Sequence, residues 1–229
     1  LCSLPSDTAL LALFDRLRGA KLALSAFECF DAGCVQHVLA HRHSDGRGPF
    51  EQLGAQHAVV EVEYMDPQAA EETYDELALC LADAQEAEEI EDAVLAANES
   101  QAAGLWAWRE DISESLHPHT PHKADVCLPI SKLSTFMQAW RELAREAVPE
   151  IEARCFGHVG DGNLHLNMLR PADLPLEAFL ERVHAYDPKL YELVQAHGGS
   201  ISAEHGIGLL KRDYLHYRRS PSELDRKSV

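Results

Sequence analysis

The chain has 229 residues, 46% of them hydrophobic and 25% charged, a globular balance that suits one large domain or two small ones. Twenty basic residues against 38 acidic ones leave a formal charge of -18. Such a surface repels nucleic acid and anionic membrane, since both demand a basic footprint. No apolar run approaches the roughly 20 residues of a membrane span, and Leu1-Cys2-Ser3-Leu4-Pro5 has neither the basic start nor the apolar core of a secretory signal. The six cysteines form no C-x-x-C pair and have apolar neighbours. They read as buried, reduced thiols, which points to a cytoplasmic setting.

In chain order, Thr8 to Arg18 has helical spacing, with Leu10, Leu11, Phe14 and Leu17 on one face. Leu22 to Phe30 is a short apolar strand candidate, and Ala32 to His41 is helical again. Gly46, Gly48 and Pro49 predict a loop. His57 to Tyr64 alternates, with Val60, Val62 and Tyr64 opposite Glu61 and Glu63, so it reads as a strand. Pro67 to Ala84 reads as a helix with proline in its first turn. The acidic run around Glu86, Glu88, Glu89 and Glu91 is expected to be a solvated face.

The second half has the same rhythm. Glu99 to Leu116 is predicted as one helix, His117 to His122 as a Pro- and His-rich loop, and Ala124 to Ile130 as a strand. Ser131 to Ala147 is a predicted helix capped by Ser131 or Ser134. Ile151 to Phe156 and Leu164 to Leu169 are strands joined by a Gly-Asp-Gly-Asn turn. Leu176 to His197 is a predicted helix, broken at Pro188 and stopped by Gly198 and Gly199, and Gly206 to Arg218 is predicted as the last helix. Two successive strand-helix-strand units predict an α+β fold: a ferredoxin-like split βαβ antiparallel sheet with helices on one face.

Two segments carry the candidate chemistry: Gly157-His158-Val159-Gly160-Asp161-Gly162-Asn163-Leu164-His165-Leu166-Asn167 and Ser200-Ile201-Ser202-Ala203-Glu204-His205-Gly206. A glycine-rich turn allows close backbone approach and brings neighbouring strand positions together. His165 and Asn167 are two apart on a strand and share a face. Two imidazoles and one carboxylate leave an open metal position, the catalytic rather than the structural arrangement. Zinc suits the ligand set, and Mn²⁺, Fe²⁺ or Co²⁺ also fit. Glu204 and His205 are adjacent, so on an extended strand they point opposite ways. We take Glu204 as the ligand and His205 as the base, whose ordinary pKa suits proton abstraction near neutrality. Asp161 is expected to cap the turn. Glu28 could line the pocket, but is expected to serve the core or a strand edge. The irregular His117, His119 and His122 loop is not expected to hold a metal. No G-x-G-x-x-G and no P-loop is present, so a nucleotide cofactor must be held elsewhere.

The same two segments resemble the signatures of the FAD-linked oxidase C-terminal domain, the family of D-lactate dehydrogenase, D-2-hydroxyglutarate dehydrogenase and the glycolate oxidase FAD subunit. Leu105-Trp106-Ala107-Trp108-Arg109-Glu110 is similar to the family's W-x-x-R-E helix, and Lys123-Ala124-Asp125-Val126-Cys127-Leu128-Pro129 to its K-x-D-x-x-x-P strand. The resemblance implies that His158, His165 and Glu204 ligate a divalent metal, zinc being the first choice, and that His205 is the catalytic base. It implies substrate contacts from Arg109, Ser113, Lys123 and Asn167, with Arg109 and Lys123 holding the carboxylate; such local cations would also overcome the chain's negative field. The implied reaction oxidises a 2-hydroxy acid to a 2-oxo acid, with hydride passing to FAD.

Residues 1–229 are expected to form one substrate- and metal-binding cap domain. An N-terminal FAD-binding domain is absent from them, so the isolated chain is expected to be inactive. Expected partners are the small 2-hydroxy acid, an electron acceptor, and a second copy or a peripheral redox complex, which would allow membrane association through a redox partner. No nucleic acid is expected. The rivals are a metal-dependent hydrolase and a non-catalytic metal-binding or interaction module.

Overall fold

The computed structural model describes all residues except 21, 43–47, 65, 210 and 227–229; of the loop expected at Gly46, Gly48 and Pro49, Gly46 lies outside the described residues, while Gly48 and Pro49 are in neither helix nor strand. The chain forms an α+β fold of antiparallel strands and helices. It divides into two compact units, Leu1–Pro118 with Phe156–Gly160, and His119–Cys155 with Asp161–Val229.

The first unit runs β1 (Cys2–Leu4), α1 (Asp7–Gly19), β2 (Ala23–Asp31), α2 (Ala32–His41), β3 (Gln56–Glu63), α3 (Ala70–Glu86), β4 (Asp92–Ala93), α4 (Glu99–Glu110) and α5 (Ile112–Leu116). β1 and β2 each pair antiparallel with β3, so they run parallel to one another on either side of it. With α1 as the crossover, this is the split βαβ arrangement. β4 adds to β1, and residues 156–158 add to β2. α1 begins at Ser6, whose side chain accepts from the Ala9 N–H at 3.1 Å. Its i, i+3, i+4, i+7 face buries Leu10, Leu13, Phe14 and Leu17, with Phe14 edge-on to Phe27 of β2. The strand β1 was not legible in the sequence. Three residues ending before a proline carry too little periodicity, yet all three are buried.

The second unit contains β5 (His122–Cys127), α6 (Leu133–Ala147), the start of β6 (Glu152–His158), β7 (Asn163–Leu169), α7 (Leu176–Ala196) and α8 (Pro221–Arg226). Leu133, Phe136, Met137, Trp140 and Ala144 line the buried face of α6, and Phe179, Val183, Tyr186, Leu190 and Val194 that of α7. Trp140 donates to the Tyr186 hydroxyl at 2.7 Å inside this core.

Several expectations change. The helix predicted over Glu99 to Leu116 breaks at Asp111, giving α4 and α5. The strand predicted as Ala124 to Ile130 starts two residues earlier and ends at Cys127, because Pro129 leads into a 3-10 turn at Ile130–Lys132. Neither Ser131 nor Ser134 caps α6; that turn leads straight into the helix, whose N-cap is Lys132 without a side-chain bond. α7 continues through Pro188. It stops at Gly198, whose φ of +74° takes the left-handed conformation that ends helices. In place of an α-helix over Gly206 to Arg218, the described residues give a 3-10 stretch at Arg212–Tyr217.

Candidate active-site residues

In the second unit, β5 and β7 pair antiparallel with Lys123 opposite Asn167, Asp125 opposite His165 and Cys127 opposite Asn163. Residues directly opposite in a ladder share a face, so these six lie on one side. The intervening Ala124, Val126, Leu164, Leu166 and Met168 lie on the other and are buried in the core. The alternation that reads as a strand in the sequence thus also sorts chemistry from packing.

The segment after α7 is fastened to the end of this ladder. Cys127 and Ser200 exchange both backbone hydrogen bonds, at 3.0 and 2.7 Å. One carboxylate oxygen of Asp125, Oδ2, then accepts from the backbone N–H groups of Ala203, Glu204 and His205 at 3.1, 3.2 and 3.3 Å. Lys211 Nζ donates to the carbonyls of Asp125 and Ile201 at 2.9 and 2.7 Å. Burial pushes its ammonium below the usual lysine value, and the Asp125 charge opposes that. Residues 203–205 form a bend rather than an extended strand, so the opposite-facing geometry of a strand does not apply to Glu204 and His205. Both lie beside His165: Glu204 Oε1 is 3.8 Å from His165 Nε2, and the His205 and His165 rings are 6.0 Å apart. Asn163 donates to Glu204 Oε1. Asn167 is buried and donates to the His165 carbonyl at 3.2 Å, while Lys123 is exposed.

The turn that feeds β7 needs its glycine. Gly162 has φ +67°, and a Cβ there would lie 1.9 Å from the Leu128 carbonyl oxygen. Its own carbonyl accepts from the Leu128 N–H at 2.8 Å. The neighbouring Asp161 takes part through its backbone, its carbonyl accepting from Cys127 Sγ at 3.3 Å.

In the first unit, His158 pairs across the ladder with Glu28. Its Nδ1 lies 2.6 Å from Glu28 Oε1, and Glu28 Oε2 accepts from Arg109 Nε at 2.9 Å. The Arg109 guanidinium stacks 4.6 Å from the centre of the Phe156 ring. Glu28 is 5% exposed, in keeping with the core role expected of it, and its two oxygens meet His158 and Arg109. The sequence undersold it because a lone glutamate on an apolar strand carries no motif. Ser113 is exposed on α5, just past the junction of α4 and α5 at Asp111.

Within the second unit, Asp125, His165 and His205 offer potential ligand atoms within 4.8 Å of one another. Asp125 Oδ2 already accepts three N–H bonds, so a ligand role for it is the poorer use of that carboxylate. His165, with Nδ1 turned to Asp125 Oδ1 at 3.4 Å, presents Nε2 on the side of Glu204, a donor set that fits a divalent cation. In the segment predicted as a Pro- and His-rich loop, His122 Nε2 is 2.7 Å from Asp187 Oδ1.

The family model for FAD linked oxidases, C-terminal domain, matches residues 1–226. The chain belongs to this family. It is similar to a D-2-hydroxyglutarate dehydrogenase of Stutzerimonas stutzeri, 37% identical over 205 residues, covering 90% of this chain and 43% of that protein. A D-2-hydroxyglutarate dehydrogenase of Xanthomonas citri is 36% identical over 224 residues, covering 98% of this chain and 46% of that protein. A putative mitochondrial D-lactate dehydrogenase of Schizosaccharomyces pombe is 37% identical over 210 residues, covering 86% and 38%. The chain therefore spans less than half the length of these FAD-linked oxidase relatives. No described helix is long and apolar enough to cross a membrane.

Proposed function

We propose that this chain is the substrate- and metal-binding part of a flavin-dependent D-2-hydroxy-acid dehydrogenase, with D-2-hydroxyglutarate the first substrate to test. The observation that carries the reading is the bend at residues 203–205, which holds Glu204 and His205 beside His165 in a chain matched to its family over residues 1–226. We assign His158, His165 and Glu204 as ligands of a divalent metal, zinc being our first choice. When bound, such an ion lowers the pKa of a coordinated hydroxyl. His205 takes the hydroxyl proton as the general base. Arg109 and Lys123 hold the substrate carboxylate, and Asn167 and Ser113 hydrogen-bond the substrate. Arg109 suits that task because Glu28 engages only its Nε, and a guanidinium has further donors in a fixed fork. The flavin supplies the hydride acceptor. With no G-x-G-x-x-G in these residues, the rest of the polypeptide is assigned to hold it.

A cytoplasmic setting goes with this reading. All six cysteines are free, and burial pushes the Cys29 thiol up to about 12, which leaves it inert. The electron acceptor and any second copy or redox complex stay as partner proposals.

The test uses the intact polypeptide that carries this chain. Under anaerobic conditions, D-2-hydroxyglutarate or D-lactate is expected to bleach the bound flavin. Metal analysis is expected to find close to one ion in wild type and a large loss in His165→Ala. Equal metal in both overturns the ligand assignment. Flavin that no 2-hydroxy acid reduces in the metal-loaded protein overturns the dehydrogenase reading.

A further inference from the structure

Asp125 has a role that the metal and substrate assignments leave unused. It is 9% exposed on β5 and stands opposite His165 in the ladder. Its two oxygens do different work. Oδ2 gathers three successive N–H groups, those of Ala203, Glu204 and His205. Three donors on one carboxylate oxygen fix the backbone of that bend more tightly than a side-chain cap on a single N–H could. Oδ1 makes no hydrogen bond within the usual geometry among the described residues, yet lies 3.4 Å from His165 Nδ1. A buried carboxylate oxygen this close to an imidazole nitrogen favours the tautomer with the proton on Nδ1, which leaves the Nε2 lone pair to ligate.

We infer that Asp125 is a positioning residue that acts on both halves of the site at once. Through Oδ2 it sets the Glu204–His205 bend against the ladder, and through Oδ1 it fixes the ring and tautomer of His165. This rests on the metal reading above. Lys211 adds to the clamp by donating to both the Asp125 and Ile201 carbonyls. The contrast within the same unit is Asp187 on α7, about as buried and paired at 2.7 Å with His122, which stands opposite Met168 and not His165 in the ladder. Asp187 stabilises; Asp125 stabilises and aims.

The experiment compares wild type, Asp125→Asn and Asp187→Asn in the intact polypeptide. Zinc affinity is measured by chelator competition, and the His165 ring is followed by ¹⁵N chemical shifts in the metal-free protein. In wild type, Nδ1 of His165 is expected to carry the proton. Asp125→Asn is expected to lose about 10- to 100-fold in zinc affinity, the usual effect of removing such an outer partner, and to shift the His165 tautomer. Asp187→Asn is expected to lower thermal stability while leaving both readouts unchanged. The inference is overturned if wild-type His165 carries its proton on Nε2. It is equally overturned if Asp125→Asn matches wild type in zinc affinity and ring shifts, or if Asp187→Asn changes them as much. The wild-type ring measurement decides the clamp even if Asp125→Asn fails to fold. A wild type that takes up no zinc overturns the metal reading, and the ring shifts then judge the clamp alone.

Discussion

Glu28 and Arg109 form a buried ion pair, Nε to Oε2 at 2.9 Å, with only 7% and 11% of their side chains exposed. The Glu28 carboxylate is shared, since its other oxygen meets His158 Nδ1 at 2.6 Å. Removing one partner of such a pair strands the other charge in a low dielectric, which costs about 3–5 kcal/mol. Glu28→Ala is therefore expected to lower unfolding stability by about that amount in urea titrations. Glu28→Gln keeps an acceptor for Arg109 and is expected to lose clearly less. Equal losses in the two variants would mean that the carboxylate's charge and acceptor are not what Arg109 needs.

His57 gives the fold an acid limit. It is fully buried on β3 and stacks with Phe30 and Phe50, with ring centres 5.6 and 5.9 Å away. Burial lowers its pKa from 6.5 to about 4. Between those values the unfolded chain binds a proton that the native one refuses, so stability falls as pH drops from 6.5 towards 4 and the effect is complete below that. At about 1.36 kcal/mol per unit the full effect is roughly 3 kcal/mol. Urea unfolding at pH 7 and pH 4.5 is expected to show a smaller pH-dependent loss in His57→Phe than in wild type. Identical losses in the two proteins would remove His57 as the cause.

How much of this could be read from the sequence depends on whether a residue's role is local. α1, α2, β2 and β3 are all legible: apolar spacing marks the two helices, and apolar or alternating runs mark the two strands even though β2 and β3 are buried on both faces over part of their length. His158, His165 and Glu204 stand out because glycines and small residues surround them. Asp125 lay inside a quoted motif, yet its three N–H partners are 78 to 80 residues away, a relation no local pattern encodes. Glu28 is hidden for the same reason, with partners 81 and 130 residues away. The stretch at Arg212–Tyr217 reads as an α-helix because its Tyr214 and Tyr217 are i, i+3, a spacing a 3-10 turn shares; both rings lie against Tyr191.

Gly162 is the sharpest backbone requirement in the second unit. An L-residue at φ +67° is strained, and here its Cβ would also strike the Leu128 carbonyl, which cannot retreat as a flexible side-chain tip can. Gly162→Ala is expected to cost at least ~1–3 kcal/mol from conformation alone, with the displacement of Leu128 added. The measurement is thermal unfolding against Gly160→Ala, where a Cβ meets nothing within 4 Å. If Gly162→Ala melts no lower than Gly160→Ala, the close approach to Leu128 is not real.

Trp140 and Tyr186 test whether the second unit's core is held by shape alone or also by its one buried indole–phenol bond, 2.7 Å long. Tyr186 is 2% exposed and Trp140 fully buried, and burial pushes the tyrosine hydroxyl well above its usual value. Each single change leaves a polar group without its partner in the core, a penalty of about 1–3 kcal/mol. Tyr186→Phe removes only an oxygen, and leaves the Trp140 N–H with no acceptor. Trp140→Phe adds the lost volume of the indole. In the double variant neither polar atom remains, so its cost is expected to fall short of the two single costs combined by about 1 kcal/mol. Denaturant unfolding of the four proteins gives that coupling directly. Strict additivity would mean that the bond contributes nothing beyond packing, and that the facing sides of α6 and α7 are held by apolar contact.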